Sequence, residues 1–452
     1  MNDLLNPEQR NEIERFIARG APALWQRCAR ILLLYDDGLP TREISAAVGL
    51  SRSRVRYYRR RFWAKGLGMF PDDLHSSSNL SGTESTAVDP NISNPKSEPE
   101  TSEILETVPQ SEISEALALQ DEIPKLQEFL AAAKGQKGPG VAPLDSLGEA
   151  GRKVLRFHFA QMLLHEAGTL QGDDIEELHD MRVATRRMRA AFEVFGSAYK
   201  KKALQPHLKR LRATGRALGQ VRDLDVFMEK ARAYLGDQPE EGAAGLGPLL
   251  QAWDADREAK RVHLVSYLNG KNYAEFKREF YTFLSTPGAG AHPIPEDEPI
   301  PYRVRDVVPV LIYTRLAAAD SYEAILQNAT LEQLHSLRIE FKKLRYAVEF
   351  FQEVLGKQAK EVIAVLKKLQ DHLGDLHDAQ VATQILRDFL GQWDLHQATL
   401  PVNERQSPEP IMAYLSARYA ERYHLMVTFK DAWDCFASPD FRRNLALAVS
   451  EL

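Results

Sequence analysis

A chain of 452 residues with 44% apolar side chains is long enough for two or three domains, and 58 Lys+Arg against 63 Asp+Glu leave a net charge of −5. No apolar run approaches the roughly 18 residues needed to span a bilayer. Cys28 and Cys435 alone form neither a disulfide framework nor a thiolate metal cluster. The opening MNDLLNPEQRNEIERF lacks the charged-then-apolar signal pattern, so the expected location is the cytoplasm. The small net charge hides segregation: residues 1–70 hold 13 bases against 7 acids, residues 71–130 hold 2 against 13, and the remainder 43 against 43. Attraction for anions is therefore local.

Residues 1–70 read as a small helical domain. The run from Leu24 to Tyr35 ends at Asp36-Asp37-Gly38, a helix stop. In TREISAAVGLSRSRVRYYRRRF, from Thr41, Thr41 is placed to cap a helix whose inward face is Ile44 and Val48. Gly49 suits a left-handed turn, and Val55 anchors a second helix starting near Ser51. This resembles a helix-turn-helix of bacterial regulators and transposase-like proteins. The resemblance would set Ser51, Arg52, Ser53, Arg56 and Tyr57 toward base edges, and Arg54, Arg59, Arg60 and Arg61 toward phosphates. One such unit binds DNA weakly, so dimerisation or avidity is required, and a homodimer is the simplest form. The same arginines also suit a solvated face, polyphosphate or a protein partner.

Residues 71–143 read as an acidic linker. Pro71 to Ser111 is rich in Ser, Thr, Pro, Asn and Glu with a single lysine, a composition that cannot bury enough apolar surface to order itself. Glu112 to Lys134 reads as a short helix interrupted at Pro124, and GQKGPGVAP from Gly135 as a hinge.

From Leu144 onward nearly every segment has helical spacing. A helix is expected over Leu147 to about Thr169, with Arg152, Lys153 and Arg156 near its start. Then HDMRVATRRMRAAFEVF sets His179, Arg182, Arg186 and Arg189 at i, i+3, i+7 and i+10, along one side of a helix, with Arg187 beside them. Met181, Ala184, Met188, Phe192 and Phe195 recur in another phase and form an apolar stripe. A helix from about Leu204 to Leu218 carries Lys209, Arg210, Arg212 and Arg216. It leads into LGQVRDLDVF, where Arg222 adjoins Asp223 and Asp225 is placed to orient an arginine. STPGAGAHPIPEDEPIP, from Ser285, is too dense in Pro and Gly for an element interior and divides the body. A helix from Val304 follows, then HSLRIEFKKLRYAVEFF from His335, then a helix holding Lys367 and Lys368 that leads into LGDLHD. After a loop around Pro401 to Pro410, a last helix pair ends near Cys435, and residues 437–452 form a C-terminal tail.

The second set of elements repeats the first. A shift of 156 places His179 on His335, Arg182 on Arg338, Val183 on Ile339, Arg186-Arg187 on Lys342-Lys343 and Arg189 on Arg345. The match extends upstream, Val154 onto Val310, and downstream, Leu218 onto Leu373 at a shift of 155. Three blocks in one order indicate a duplicated unit. The expected class is all-α: two antiparallel helical bundles, about 144–284 and 302–436, related by a pseudo-twofold.

H-x-x-R-V-x-x-R-R-x-R followed by an L-G-x-x-R-D block, with both repeated, resembles the CHAD family, the conserved histidine α-helical domain, over residues 144–436. The resemblance implies a helical fold of two similar halves, a basic central surface and binding of inorganic polyphosphate. On that reading the binding residues are Lys153, Arg156, His179, Arg182, Arg186, Arg187, Arg189, Lys209, Arg212, Arg216 and Arg222 in the first half. In the second they are His335, Arg338, Lys342, Lys343, Arg345, Lys367 and Lys368. The second copy departs by using lysines at 342 and 343 and His377-Asp378 for Arg222-Asp223, which loses the planar guanidinium fork.

Polyphosphate carries about one negative charge per phosphate along a flexible line, and rows of Arg and Lys meet it with contacts worth about 1.5–3 kcal/mol each. The bland alternative is a set of solvated, acid-paired helix faces, but Arg182 and Arg338 are followed at i+4 by Arg186 and Lys342 rather than by acids. Arginines beside His179 and His335 would repel a metal cation, and no H-E-x-x-H spacing occurs. No P-loop, nucleophile elbow, kinase motif or E-x-E-x-K strand is present, so the expected protein is a binder without cofactor, not an enzyme. Polyphosphate granules or the nucleoid are its expected sites. The main rival is a DNA-binding regulator whose body dimerises or senses a phosphorylated ligand; another is a phosphate-transfer protein using His179 or His335 as acceptor.

Overall fold

In a computed structural model, the described residues are 4–18, 23–48, 55, 58–59, 62, 66–69, 125–236, 244–294 and 301–452. The chain divides after Thr107 into two compact units. Among the described residues the fold is all-α, with β structure limited to isolated bridges from Ser146 to Arg303 and from Tyr199 to Ala291.

The N-terminal unit contains α1 (Pro7–Ala18), α2 (Ala23–Asp36) and α3 (Thr41–Val48). The Asn6 side chain accepts from the Gln9 amide at 2.8 Å while Gln9 accepts from the Asn6 amide at 3.0 Å, so two free N–H groups at the start of α1 are satisfied reciprocally. Arg10 ties α1 to the end of α2 through Asp36 and Asp37. The small core gathers Ile13, Phe16, Ile31, Leu32 and Ile44 with Val55, Tyr58 and Phe62, so Ile44 and Val55 lie inward as expected. Thr41 does not cap α3. It is the first helical residue, and its hydroxyl lies 2.9 Å from the Tyr35 hydroxyl, joining α2 to α3. Of the expected DNA contacts, Ser51, Arg52, Ser53, Arg56, Tyr57 and Arg60 lie outside the described residues, as do Gly49, Arg54, Arg61 and the linker as far as Pro124.

The body opens with a helix over residues 125–133, labelled α4. It continues with α5 (Leu147–Leu164), α6 (Glu166–Gln171), α7 (Ile175–Val194), α8 (Lys201–Gly236), α9 (Gly247–Leu268) and α10 (Lys271–Ser285). After the Pro/Gly segment come α11 (Val304–Asp320), α12 (Leu331–Glu349), α13 (Ala359–Thr399), α14 (Glu409–Ala437) and α15 (Pro439–Val449).

Caps fix where the site helices begin. Asp174 accepts from the Glu176 amide at the start of α7, and Thr330 with Gln333 forms a capping box on α12. Four boundaries differ from the sequence expectation. The helix expected to Thr169 ends at Leu164, and Gly172 at φ 74° closes the short α6 that follows. The L-G blocks are not junctions but the interiors of α8, 36 residues long, and α13, 41 residues long. Nothing in either block prevents helix, and the apolar repeat runs through both. The last helix pair extends past Cys435, because α14 ends at Ala437 and leads into α15. Residues 437–452 are accordingly no tail: Ser438 caps α15, Pro439 occupies its first turn, and Phe441, Leu445, Ala448 and Val449 are buried at helical spacing.

One large core joins both halves of the body. Phe159 meets Phe280 at 5.1 Å between ring centroids, and Phe280 stacks on Phe192 at 6.0 Å. The end of α7 meets the residues after α12 through Phe195, 5.3 Å from Phe351 and 5.9 Å from Phe350. Burying each such ring contributes about 1.5–3 kcal/mol. This aromatic seam brings the two basic helices together. A second cluster, including Met228, Trp253, Leu386 and Tyr414, forms where α8 and α13 run on beyond the L-G blocks.

Candidate anion-binding cleft

Because Met181, Ala184, Met188 and Phe192 bury one side of α7, its basic stripe is turned away from the core, and Arg186 and Arg189 are exposed. On α12, Leu334, Leu337, Phe341 and Leu344 do the same for His335, Arg338 and Lys342. The two stripes border one cavity of about 610 Å³. Its basic lining is Arg186 and Arg189 from α7, Arg212 from α8, Arg315 from α11, and His335, Arg338, Lys342 and Lys343 from α12. Phe192, Leu208, Ile339 and Tyr346 supply apolar walls, and among the described residues Glu193 is the only acid in the lining.

Crowded positive charge shows in the protonation of the site. Burial, with Arg186, Arg189 and Arg338 nearby, brings the Lys342 ammonium down to about 8. Burial together with Arg212, Arg216 and Arg182 lowers Arg189. Among the described residues, three buried polar atoms of the lining have no hydrogen-bond partner: His335 Nδ1, Arg338 Nε and Tyr346 Oη. A cleft with surplus cations and unpaired polar groups suits an anion rich in acceptor oxygens.

The L-G blocks pack against the first arginine of each stripe. Arg182 crosses α8 at Gly219, where a Cβ would lie 3.9 Å from its Nε, and Arg338 crosses α13 at Gly374, where the same distance is 3.7 Å. Arg182 Nη1 forms an ion pair with Asp223 Oδ1 at 2.9 Å. The first arginine of the stripe therefore has an acidic partner after all, supplied by the neighbouring helix and invisible to i+4 spacing. Asp225 accepts from Arg257 Nε at 2.6 Å, so the arginine it orients comes from α9. His179 sits beside Arg222 and is lowered by burial first and by that guanidinium second. In the second half His377 stands near His335, with ring centroids 4.6 Å apart, and burial, His335 and Arg338 lower it.

Other expected ligands lie elsewhere. Lys153 is held by Asp145 at 2.7 Å and the Gly140 carbonyl at 3.0 Å, and Arg156 lies over the Phe129 ring. Arg345 is buried: it donates to Glu349 and to Gln370 and stacks on Tyr346, so its place in the binding set is corrected. Arg187 lies close enough to His158 to help burial hold that imidazole neutral, down to about 3. Lys209, Arg216, Lys367 and Lys368 are exposed outside the cavity lining, while Arg222 is buried with Nη1 unpaired. Lys343, within the lining, already has Glu340 at 2.7 Å and Glu193 at 3.8 Å. Arg315 and Tyr346 were not anticipated. Tyr346 was detectable, since i+11 from His335 falls about 20° from it around the helix, whereas Arg345 falls about 80° away. In the N-terminal unit, Arg59 lies over the Tyr35 ring at 4.7 Å.

Comparison with known proteins gives the wider context. Residues 21–68 match the family model of a Homeodomain-like domain. Two solved structures resemble the chain. The CHAD domain from the plant Ricinus communis is 22% identical, over 69% of this chain and 94% of that one, with a TM-score of 0.48. PptA from Streptomyces chartreusis is 17% identical, over 65% of this chain and all of that one, with a TM-score of 0.46. A search of curated proteins finds no match. The family model of the CHAD domain matches residues 153–387, more than half of the chain, and the protein belongs to the CHAD family.

Proposed function

We propose that the body binds inorganic polyphosphate in the cleft between α7 and α12, and that the N-terminal unit binds DNA, so that one chain links the two polyanions. The observation that carries the first part is the convergence of cations from α7, α8, α11 and α12 on one cavity with a single acid in its lining. Unliganded, these like charges oppose one another; a phosphate chain relieves the repulsion at several points and is held multivalently. The α7 face contributes Arg186 and Arg189 and the α12 face Arg338 and Lys342, with His335 and Tyr346 offering polar contacts between charges. Arg212 lines the cavity from α8, and Arg182 and Arg216 extend the positive field beyond it. The match of residues 21–68 to a Homeodomain-like domain supports the second part.

The test is titration of the full chain with long-chain polyphosphate at roughly 150 mM salt, where generic attraction is screened. Wild type is compared with Arg182→Ala/Arg186→Ala/Arg338→Ala, and duplex DNA serves as competitor. Tight binding is expected that the triple change abolishes and DNA does not displace. Binding that survives the triple change, or that DNA displaces equally, would reduce the cleft to a generic basic surface and favour the regulator reading.

A further inference from the structure

The helix α14 is apolar on two opposite sides. Inward it buries Ile411, Tyr414, Phe429, Trp433 and Phe436. Outward, at three- and four-residue spacing, stand Met412, Ser416, Ala420, Tyr423 and Val427, without one charge. Met412, Tyr423 and Val427 are 56%, 70% and 60% exposed. At 1.5 Å per residue the stripe is about 22 Å long. Outward helix faces in water normally carry charge, and α13 does, with Lys360, Glu361, Lys367, Lys368 and Asp371 exposed. An exposed, uncharged stripe on a helix that already buries its other side is one built to be covered.

The stripe complements itself. When two copies of α14 lie antiparallel about a twofold passing between Tyr419 and Ala420, Met412 faces Val427 and Ser416 faces Tyr423. The ends of the stripe then bring Glu409, exposed on one copy, onto Lys430, exposed on the other. Small Ser416 meets large Tyr423 in the seam, and acid meets base at both ends. A parallel pairing would set Tyr423 on Tyr423 and Glu409 on Glu409. Among the described residues Lys430 makes its ion pair with Asp434 at 2.7 Å, one turn along the exposed helix.

We propose that α14 is a dimerisation helix, covered by α14 of a second copy in an antiparallel, twofold pair. Such an interface is isologous, and it closes after two chains. Each particle then carries two Homeodomain-like units, the number that paired DNA half-sites take.

The experiment is sedimentation of the full chain from low to high micromolar concentration, without polyphosphate or DNA, so its outcome is independent of what the cleft binds. A monomer–dimer equilibrium is expected. Val427→Glu should weaken it by about tenfold or more, because the twofold uses each residue twice and buries the new charge twice. Glu409→Lys and Lys430→Glu should each weaken association, and the two together should restore it. Unchanged helical circular dichroism and thermal midpoint of the monomer show that these exposed substitutions leave the fold intact. A monomer at every concentration overturns the proposal, as does a dimer indifferent to Val427→Glu. So does a charge exchange that fails to restore association.

Discussion

At the residue scale, Lys342 states the energetics of the cleft most plainly. Its ordinary value of 10.5 falls to about 8, from burial first and then from Arg186, Arg189 and Arg338. Between those values the unfolded chain binds more protons than the folded one, so the contribution of this group to stability rises with pH across that window. At pH 7 the folded protein bears the whole cost. At about 1.4 kcal/mol per pH unit this is at most about 3–4 kcal/mol, reduced by solvent screening at the cleft mouth. Lys342→Met should therefore raise the thermal midpoint at pH 7 and have little effect above about pH 10.5. The same change should weaken polyphosphate binding, and wild-type affinity should fall as pH rises through 8, since the anion favours the protonated amine. Thermal scans and titrations over that range check both; equal destabilisation with and without polyphosphate would refute the account. His158 behaves differently. Buried against Phe350 and held neutral down to about 3, it should cost stability as pH falls from its ordinary 6.5 toward 3, and His158→Phe should flatten that acid limb.

At the element scale, glycine decides how closely helices approach. At Gly151 a Cβ would lie 2.9 Å from Phe195, inside the α5–α7 contact, while at Gly374 it would lie at ordinary contact distance from Arg338. Gly151→Ala should destabilise by about 1–3 kcal/mol, less a helix-propensity gain of about 0.5–1 kcal/mol. Gly374→Ala should instead stabilise by that propensity gain alone, and denaturant unfolding distinguishes the two signs. Such differences explain what was legible in the chain. Arg186, Arg189, His335, Arg338, Lys342 and Lys343 could be placed together because the 3.6 period fixes their phase against neighbouring apolar stripes. Arg345 was misplaced by register with Arg189, although Glu349 at i+4 marked it for an ion pair. Arg315 and the Asp223 partner of Arg182 depend on helices packed from elsewhere, which no local period reveals. The final helix was legible in Ser438-Pro439 and the spacing of Phe441, Leu445 and Ala448. It read as a tail because the family resemblance stops at residue 436.

At the scale of the whole molecule, charge is distributed by region. Residues 71–130 carry 13 acids and 2 bases between a basic N-terminal unit and a body whose cations converge on one cleft. We predict that such a segment, tethered to both ends, competes for their cations at high local concentration. It opposes weakly held polyanions more effectively than a chain gripped by several arginines at once. Replacing its Asp and Glu by Asn and Gln should raise affinity for unrelated polyanions at low salt while changing polyphosphate affinity less. Attraction between exposed charges fades once the Debye length shrinks from about 30 Å at 0.01 M salt to about 8 Å at 0.15 M, so the difference should vanish over that range. Polyphosphate binding should itself weaken steeply with salt, with a slope near 0.7 per neutralised phosphate by analogy with single strands. Titrating wild type and the neutralised variant with heparin, random duplex DNA and polyphosphate across salt separates these effects. Equal low-salt affinities for heparin in the two proteins would show that the acidic segment does not screen the basic ends.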